Sequence, residues 1–433
     1  MNGNRRILDE LMERFNFWMH IEDPYVIYTI AAIKATHRMP GDPTWLMLVG
    51  PSSDGKSEIL RAFTQEQDHS VDDITPKTFV SGYISKKTDT LPQFAEIISG
   101  NILFIYDLSI MMSKHAEERS QILSDMRMIY DGKITKRFGN KQHVSVKTEG
   151  TTFICGSTPV IDTTILEDQL LGTRFLTYRI HNKDRQAVMN KIVENMNQMG
   201  VLRNSLKTGV FMFESNLEYG DVEISDTEYQ GLMTLTNQTT LLRTSPDLDK
   251  HKEPKNVLYP EGPGRLLKQF INLYKAYKLI GLTQEEALTG IRKIAMYNVI
   301  PIRSRIMEYM MKANNGFHTT SEISKNTKIG KGYTKGQMFS LYQLGICDYD
   351  IYYDERIRRD VDRWKLNDCN FNLLFDMKKI NQEKLKKDED EQPVFSRVVN
   401  PDYGKCGYCG NEMMLLFRDQ FGNRCCESCR QDY

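Results

Sequence analysis

Residues 45–60 read Trp-Leu-Met-Leu-Val-Gly-Pro-Ser-Ser-Asp-Gly-Lys-Ser-Glu-Ile-Leu: an apolar run, then Gly-x-x-x-x-Gly-Lys-Ser, then the start of a helical pattern. Gly50, Pro51, Ser52, Ser53, Asp54, Gly55, Lys56 and Ser57 make up the loop. This order of strand, loop and helix is what a phosphate-binding loop requires. Glycines let backbone N–H groups curl toward phosphate oxygens at the positive end of a helix. In such a loop Lys56 reaches the β and γ phosphates of ATP and the Ser57 hydroxyl helps hold Mg2+. A second apolar run, residues 102–106, ends in Asp107, an acid suited to hold Mg2+ through water. Near the other end of the chain, Cys406 and Cys409 stand in one Cys-x-x-Cys knuckle, and Cys426 and Cys429 in another. Their spacing is that of a zinc ribbon, and four thiolates suit a closed, structural Zn2+ site. Cys425 is spare, because using it breaks the two-residue spacing.

The surrounding elements must position these groups. Residues 4–40 have helical spacing, with Asp23 and Pro24 as a start signal, and Pro40, Asp42 and Pro43 break the chain before the loop strand. Residues 78–82, 101–107 and 151–157 read as strands, and 114–130, 183–200 and 264–298 as helices. Residues 131–148 read as a hairpin with Gly139 and Asn140 at its turn. Strands alternating with helices predict an α/β fold: a parallel sheet with helices on both faces. The expected division is N-terminal helices (1–40), an ATPase domain (41–300), a smaller unit (301–375), a charged linker (376–400) and the cysteine unit (401–433).

After Asp107 come a helix, a basic hairpin, a strand ending in Thr158-Pro159, and Leu-Leu-Gly-Thr-Arg174-Phe. This series resembles the AAA+ ATPases. Within them it is most similar to the minichromosome-maintenance-type helicases and the related replicative ATPases of phages and mobile elements, over roughly residues 20–300. The resemblance implies that Thr158 orients the attacking water. It implies that Arg174 is an arginine finger acting on nucleotide held by the next subunit, and that Arg265 is a sensor-2 arginine. It also implies a homo-oligomeric ring, a hexamer, around single-stranded or forked DNA, with other replication proteins as further partners. One departure stands out. The family places Glu directly after the Asp that ends the second strand, and here positions 108 and 109 are Leu and Ser. Glu117, Glu118 and Asp125 on the next helix are candidate bases, and each also fits a solvated helix face.

The hairpin carries Lys133, Lys136, Arg137, Lys141, His143 and Lys147, with Asp131 as its only acid. Local charge of this kind suits a phosphate backbone; it also guards a sheet edge against aggregation. In the resembling helicases this hairpin projects into the ring's channel. Residues 303–367 offer three helical segments and two alternating strands, which resemble a winged helix-turn-helix. Thr319 and Glu322 have capping-box spacing there. Lys325, Lys328, Lys331 and Lys335 surround the presumed turn and recognition helix. They suit phosphates or simply surface, and winged helices bind proteins as well as DNA.

Bulk composition narrows the classes. The 433 residues hold 57 Lys+Arg and 57 Asp+Glu, so the chain is no polycation and any nucleic-acid surface must be local. No apolar run approaches the length of a membrane span, and the N-terminus leads into an amphipathic helix rather than a signal core. A cytoplasmic protein is expected, with Cys155, Cys347 and Cys369 reduced. Three functions fit: a replicative DNA helicase or translocase, an ATP-switched helicase loader or initiator that does not unwind, and a DNA-binding transcription or initiation factor whose assembly ATP controls.

Overall fold

The computed structural model describes residues 3–82, 92–139, 143–162, 174–244, 260–313, 316–356, 358–367, 371 and 374, and the backbone of four two-residue strands between 404 and 425. Residues up to Met377 form one compact unit and Lys378–Tyr433 a second.

Two helices, α1 (Gly3–Trp18) and α2 (Tyr25–Thr36), precede β1 (Trp45–Val49) and α3 (Lys56–Phe63). Then come β2 (His69–Val71), α4 (Phe94–Ile97), β3 (Ile102–Ile105), α5 (Ser109–Met112) and α6 (Ala116–Tyr130). The hairpin β4 (Lys133–Arg137) and β5 (His143–Lys147) leads to β6 (Thr152–Ser157) and β7 (Phe175–Arg179). Five helices follow: α7 (Arg185–Asn195), α8 (Met199–Asn216), α9 (Asp226–Arg243), α10 (Gly264–Leu279) and α11 (Gln284–Tyr297).

Five strands form a parallel sheet in the order β2-β3-β6-β1-β7. Every residue of β1, β3 and β6 is buried. Such continuous apolar strands are what a sheet covered on both faces demands. Trp45 anchors the sheet's N-terminal end. Its ring stacks 4.1 Å from Phe153 and meets Tyr130 edge-on at 5.1 Å, and its indole N–H donates to the Thr151 carbonyl at 2.8 Å. The N-terminal helices belong to this body, with α1 on α8 and α2 on α10. Leu266, Phe270, Leu273 and Tyr277 give α10 its buried face, and the Tyr277 hydroxyl meets Thr29 Oγ1 at 2.6 Å.

Residues 78–82 are not a strand. Phe79 and Val80 are buried, but the backbone there is held by α4: the Ala95 N–H donates to the Phe79 carbonyl, and the Ser81 N–H to Gln93 Oε1. The strand of this region is β2, at His69–Val71.

A smaller body completes the first unit. It comprises α12 (Pro301–Lys312), β8 (His318–Thr319), α13 (Thr320–Thr327), α14 (Lys331–Gln343), β9 (Cys347–Asp354) and β10 (Arg359–Leu366). Its antiparallel sheet has the order β8-β10-β9. The capping box is formed: the Glu322 N–H donates to Thr319 Oγ1 at 3.1 Å, and the Thr319 N–H to Glu322 Oε2 at 2.8 Å. Fully buried Trp364 donates its indole N–H to Thr320 Oγ1 at 2.9 Å.

Arg303 fastens this body to α9. It is fully buried and donates to the carbonyls of Leu242 at 2.9 Å and Thr244 at 2.7 Å, and to Gln337 Oε1 at 3.0 Å. Burial lowers its pKa to about 10. Removing the guanidinium would leave three buried acceptors without their donor. Arg303→Met is therefore expected to cost about 3 kcal/mol of unfolding free energy, read by urea denaturation. A loss below about 1 kcal/mol would contradict this role.

In the second unit, β11 (Gly404–Lys405) pairs with β12 (Glu412–Met413), and β13 (Phe417–Arg418) with β14 (Arg424–Cys425). Cys406, Cys409, Cys426 and Cys429 lie outside the described residues, as do Lys141, Cys369 and the linker 376–400.

Candidate nucleotide site and basic hairpin

The loop 50–55 joins the C-terminal end of β1 to α3. Gly55, at φ +82°, caps α3 in a left-handed conformation that a side chain would strain. Neighbouring strand ends are tied to the loop: the Gly50 N–H donates to the Ser157 carbonyl at 3.2 Å, and the Ile180 N–H to the Val49 carbonyl at 2.8 Å. Gly156 lies so close to β3 that a Cβ would stand 2.5 Å from the Tyr106 carbonyl oxygen.

Lys56 is buried, and its ammonium donates to the loop carbonyls of Gly50, at 2.7 Å, and Pro51. Burial lowers its pKa, and the charges of Asp54 and Asp107 oppose that shift. Asp107 follows β3 at the same end of the sheet, and its Oδ1 accepts the Ser109 N–H at 2.9 Å. The Ser109 hydroxyl in turn meets Thr158 Oγ1 at 3.0 Å and accepts the Thr158 N–H at 2.8 Å. Lys56, Asp107 and Thr158 are thus brought to one sheet end, with Ser109 joining the last two, its backbone N–H to Asp107 and its hydroxyl to Thr158. The strand order separates β1 from β3 by β6, and such crossings at the carboxyl ends of strands are where α/β sheets bind ligands.

A cavity of about 310 Å³ opens beside the loop. Residues 53–58 form one wall; Trp18, Met19, Val188, Ile192, Met199 and Leu202 form an apolar one. His20 also lines it, and its Nε2 is buried without a hydrogen-bond partner among the described residues. The donor set fits a nucleotide: N–H groups and an ammonium for phosphates, and an apolar wall with a free ring nitrogen for a base. This wall was not anticipated from sequence. It is assembled from α1, α7 and α8, and only the aromatic run Phe17-Trp18 at the end of α1 hinted at it.

Leu108 is fully buried in the hydrophobic core. Among the candidate bases, Glu117 and Glu118 are exposed in the first turn of α6. Asp125 is 2% exposed and accepts from Lys136 Nζ at 2.5 Å. Arg179 was also missed. It ends β7 beside the loop strand, and its guanidinium is bidentate to Asp162 at 2.7 and 2.8 Å.

Arg174 and Arg265 lie elsewhere. Arg174 precedes β7, whose Phe175 is level with Trp45 at the start of β1. It is therefore about 16 Å, one strand length, from the end of β1 that leads into loop 50–55. Its Nη2 donates to both carboxylate oxygens of Asp131, at 2.9 and 3.2 Å. Arg174 and Arg265 both sit over the Tyr130 ring, at 5.6 and 5.7 Å. Burial lowers the pKa of Arg174; Arg265 and Arg127 lower it further, while Asp131 opposes them. Neither arginine is brought to Lys56 of its own chain.

The hairpin divides into two faces. Ile134 and Val146 join the core, and Phe138 and Val144 pack against it. Lys136 lies on this inner side, paired with Asp125. The outer face carries three cross-strand rows: Lys133 opposite Lys147, Thr135 opposite Ser145, and Arg137 opposite His143. All six are exposed. In the smaller body Lys325, Lys328 and Lys331 are exposed, while Lys335 pairs with Asp362 at 3.2 Å and lies over Phe339.

No protein-family model matches the chain, and no curated protein is similar to it in sequence. Among the described residues, no helix is long and apolar enough to cross a membrane.

Proposed function

We propose that this chain is an ATP-dependent DNA helicase or translocase of a phage or mobile-element replication system, working as a ring, a hexamer, built from AAA+ cores. The observation that carries this reading is the meeting of Lys56, Asp107 and Thr158 at one end of a parallel sheet, beside a cavity with an apolar wall. In it, the loop N–H groups and Lys56 hold the phosphates, and Ser57 and Asp107 hold Mg2+. Bound ATP supplies the phosphoryl group whose transfer to water drives movement. Thr158, steadied by Ser109, orients that water. Arg174 serves a neighbouring copy, and the outer face of the hairpin holds a DNA strand. The smaller body is read as a winged helix, with Lys331 and Lys335 toward DNA. Cys406, Cys409, Cys426 and Cys429 hold Zn2+ in a ribbon that contacts DNA or a replication partner.

A second reading is an ATP-switched loader or initiator that does not unwind. Buried Leu108 and the Asp125–Lys136 pair favour it, because neither position offers a base to the site. Steady-state ATP hydrolysis with and without single-stranded DNA separates the two. The helicase reading expects stimulation of at least about tenfold, lost in Arg174→Ala. Tight ATP binding with negligible hydrolysis in either condition would replace it with the switch.

A further inference from the structure

Thr158 is gripped from two sides. Ser109 holds its backbone N–H on one. On the other, the turn that follows β6 carries Thr158 at its start and Asp162 at its end. The Ile161 N–H donates to the Thr158 carbonyl at 3.2 Å, and the Asp162 N–H to the Pro159 carbonyl at 3.1 Å. Whatever fixes the Asp162 carboxylate therefore fixes Thr158 through one hydrogen-bonded turn. Arg179 closes on that carboxylate with both Nη atoms, at 2.7 and 2.8 Å. Its Nε donates to the carbonyl of Tyr297, the last residue of α11, at 3.3 Å. Arg179 is level with Val49, the residue before loop 50–55, so this clasp stands at the sheet end that holds Lys56, Asp107 and Thr158. Its two side chains are 15% and 22% exposed. A bidentate pair so far removed from water fixes geometry as a solvated surface pair does not.

The clasp is itself anchored. β7 is an edge strand of the sheet. Asn298, just past α11, fastens it: Asn298 Oδ1 accepts the Thr177 N–H at 3.3 Å, and its Nδ2 donates to the Thr177 carbonyl at 3.4 Å. We propose that Arg179 is a positioning residue for Thr158: by clasping Asp162 it sets where the Thr158 hydroxyl stands relative to loop 50–55. The inference rests on the nucleotide reading, which gives Thr158 a water to orient. Lysine cannot replace the arginine, because one ammonium cannot grip both carboxylate oxygens and the α11 carbonyl in a fixed plane. Misplacing an orienting group by about 1 Å costs on the order of 100-fold in rate, and one of the two grips on Thr158 survives the loss of Arg179.

The test is steady-state ATP hydrolysis by the full chain. Arg179→Lys and Asp162→Asn should each lower kcat about 30-fold and leave KM within about threefold of the wild type. In a Thr158→Val chain, Arg179→Lys should cost no more than about twofold further, because a residue acting through Thr158 has nothing left to act on. Without nucleotide, amide hydrogen exchange at residues 158–162 should quicken about tenfold in both variants, while residues 45–49 keep the wild-type rate. Thermal unfolding checks that each variant is folded; if Arg179→Lys is not, the near-isosteric Asp162→Asn carries the same test. A wild-type kcat in the folded variants would overturn the proposal, as would a loss carried by KM. The full 30-fold cost persisting beside Thr158→Val would also overturn it, making Arg179 support for the sheet alone. A wild type that binds no ATP, or binds it as well with Lys56→Ala, would sink the nucleotide reading itself and this proposal with it. Lys56-dependent hydrolysis that neither variant slows would sink only the proposal.

Discussion

Lys56→Ala should lower ATP affinity about 100-fold and hydrolysis by about three orders of magnitude, the largest effect expected of any single change in this chain. Lys56 is the one Lys or Arg among residues 50–57, and its ammonium is already desolvated there, bonded to the Gly50 and Pro51 carbonyls. Those bonds hold the charge where phosphate oxygens would replace the carbonyls, so little reorganisation is needed on binding. Lys56→Arg should fare almost as badly, because a planar fork does not fit a space shaped for a point charge. Titration with a fluorescent ATP analogue, together with steady-state hydrolysis, reads both effects. Thermal unfolding without nucleotide separates a lost ligand contact from a lost fold. Hydrolysis kept within threefold of the wild type, in a folded variant, would remove this loop from the chemistry.

How much of this was legible in the chain depends on how local each signal is. The strand, loop and helix over residues 45–63 were legible because the loop's geometry is set by its own glycines and the helix it opens. The capping box of α13 was legible for the same reason: Thr319 and Glu322 satisfy each other across three residues. β2 was not. It is three residues long and only half covered, too short to show a period. The run 78–82 looked like a strand because Phe79 and Val80 are apolar and buried. Burial is a tertiary outcome, however, and α4 takes the backbone bonds that a neighbouring strand would have taken. Arg265 opens a helix as expected, but which end of the sheet that helix starts from is set by packing. α10 lies along α2, so Arg265 arrives at Tyr130 rather than at Lys56. The partner of Lys136 follows the same logic. Strand alternation puts Lys136 on the Ile134 side, and α6 then brings buried Asp125 beneath it.

That division of the hairpin makes opposite predictions for residues of one charge. Lys133→Ala/Arg137→Ala/Lys147→Ala removes three exposed cations, of which Lys133 and Lys147 face each other across the strands, so stability should hold or rise slightly. Binding of single-stranded DNA should fall roughly 100-fold at moderate salt. The slope of log affinity against log salt should shrink by about two, the share of three phosphate contacts to a single strand. Lys136→Ala should do the reverse. It strips the partner from an Asp125 that is 2% exposed, and should cost about 3 kcal/mol of stability. The salt slope should stay close to that of the wild type, because the charge removed is already neutralised within the chain. Salt-dependent fluorescence anisotropy on a labelled oligonucleotide, with urea denaturation of the same variants, measures both. If the triple variant kept its salt slope, the exposed basic face would be only a guarded sheet edge, and DNA contact would have to be sought on Lys325, Lys328 and Lys331.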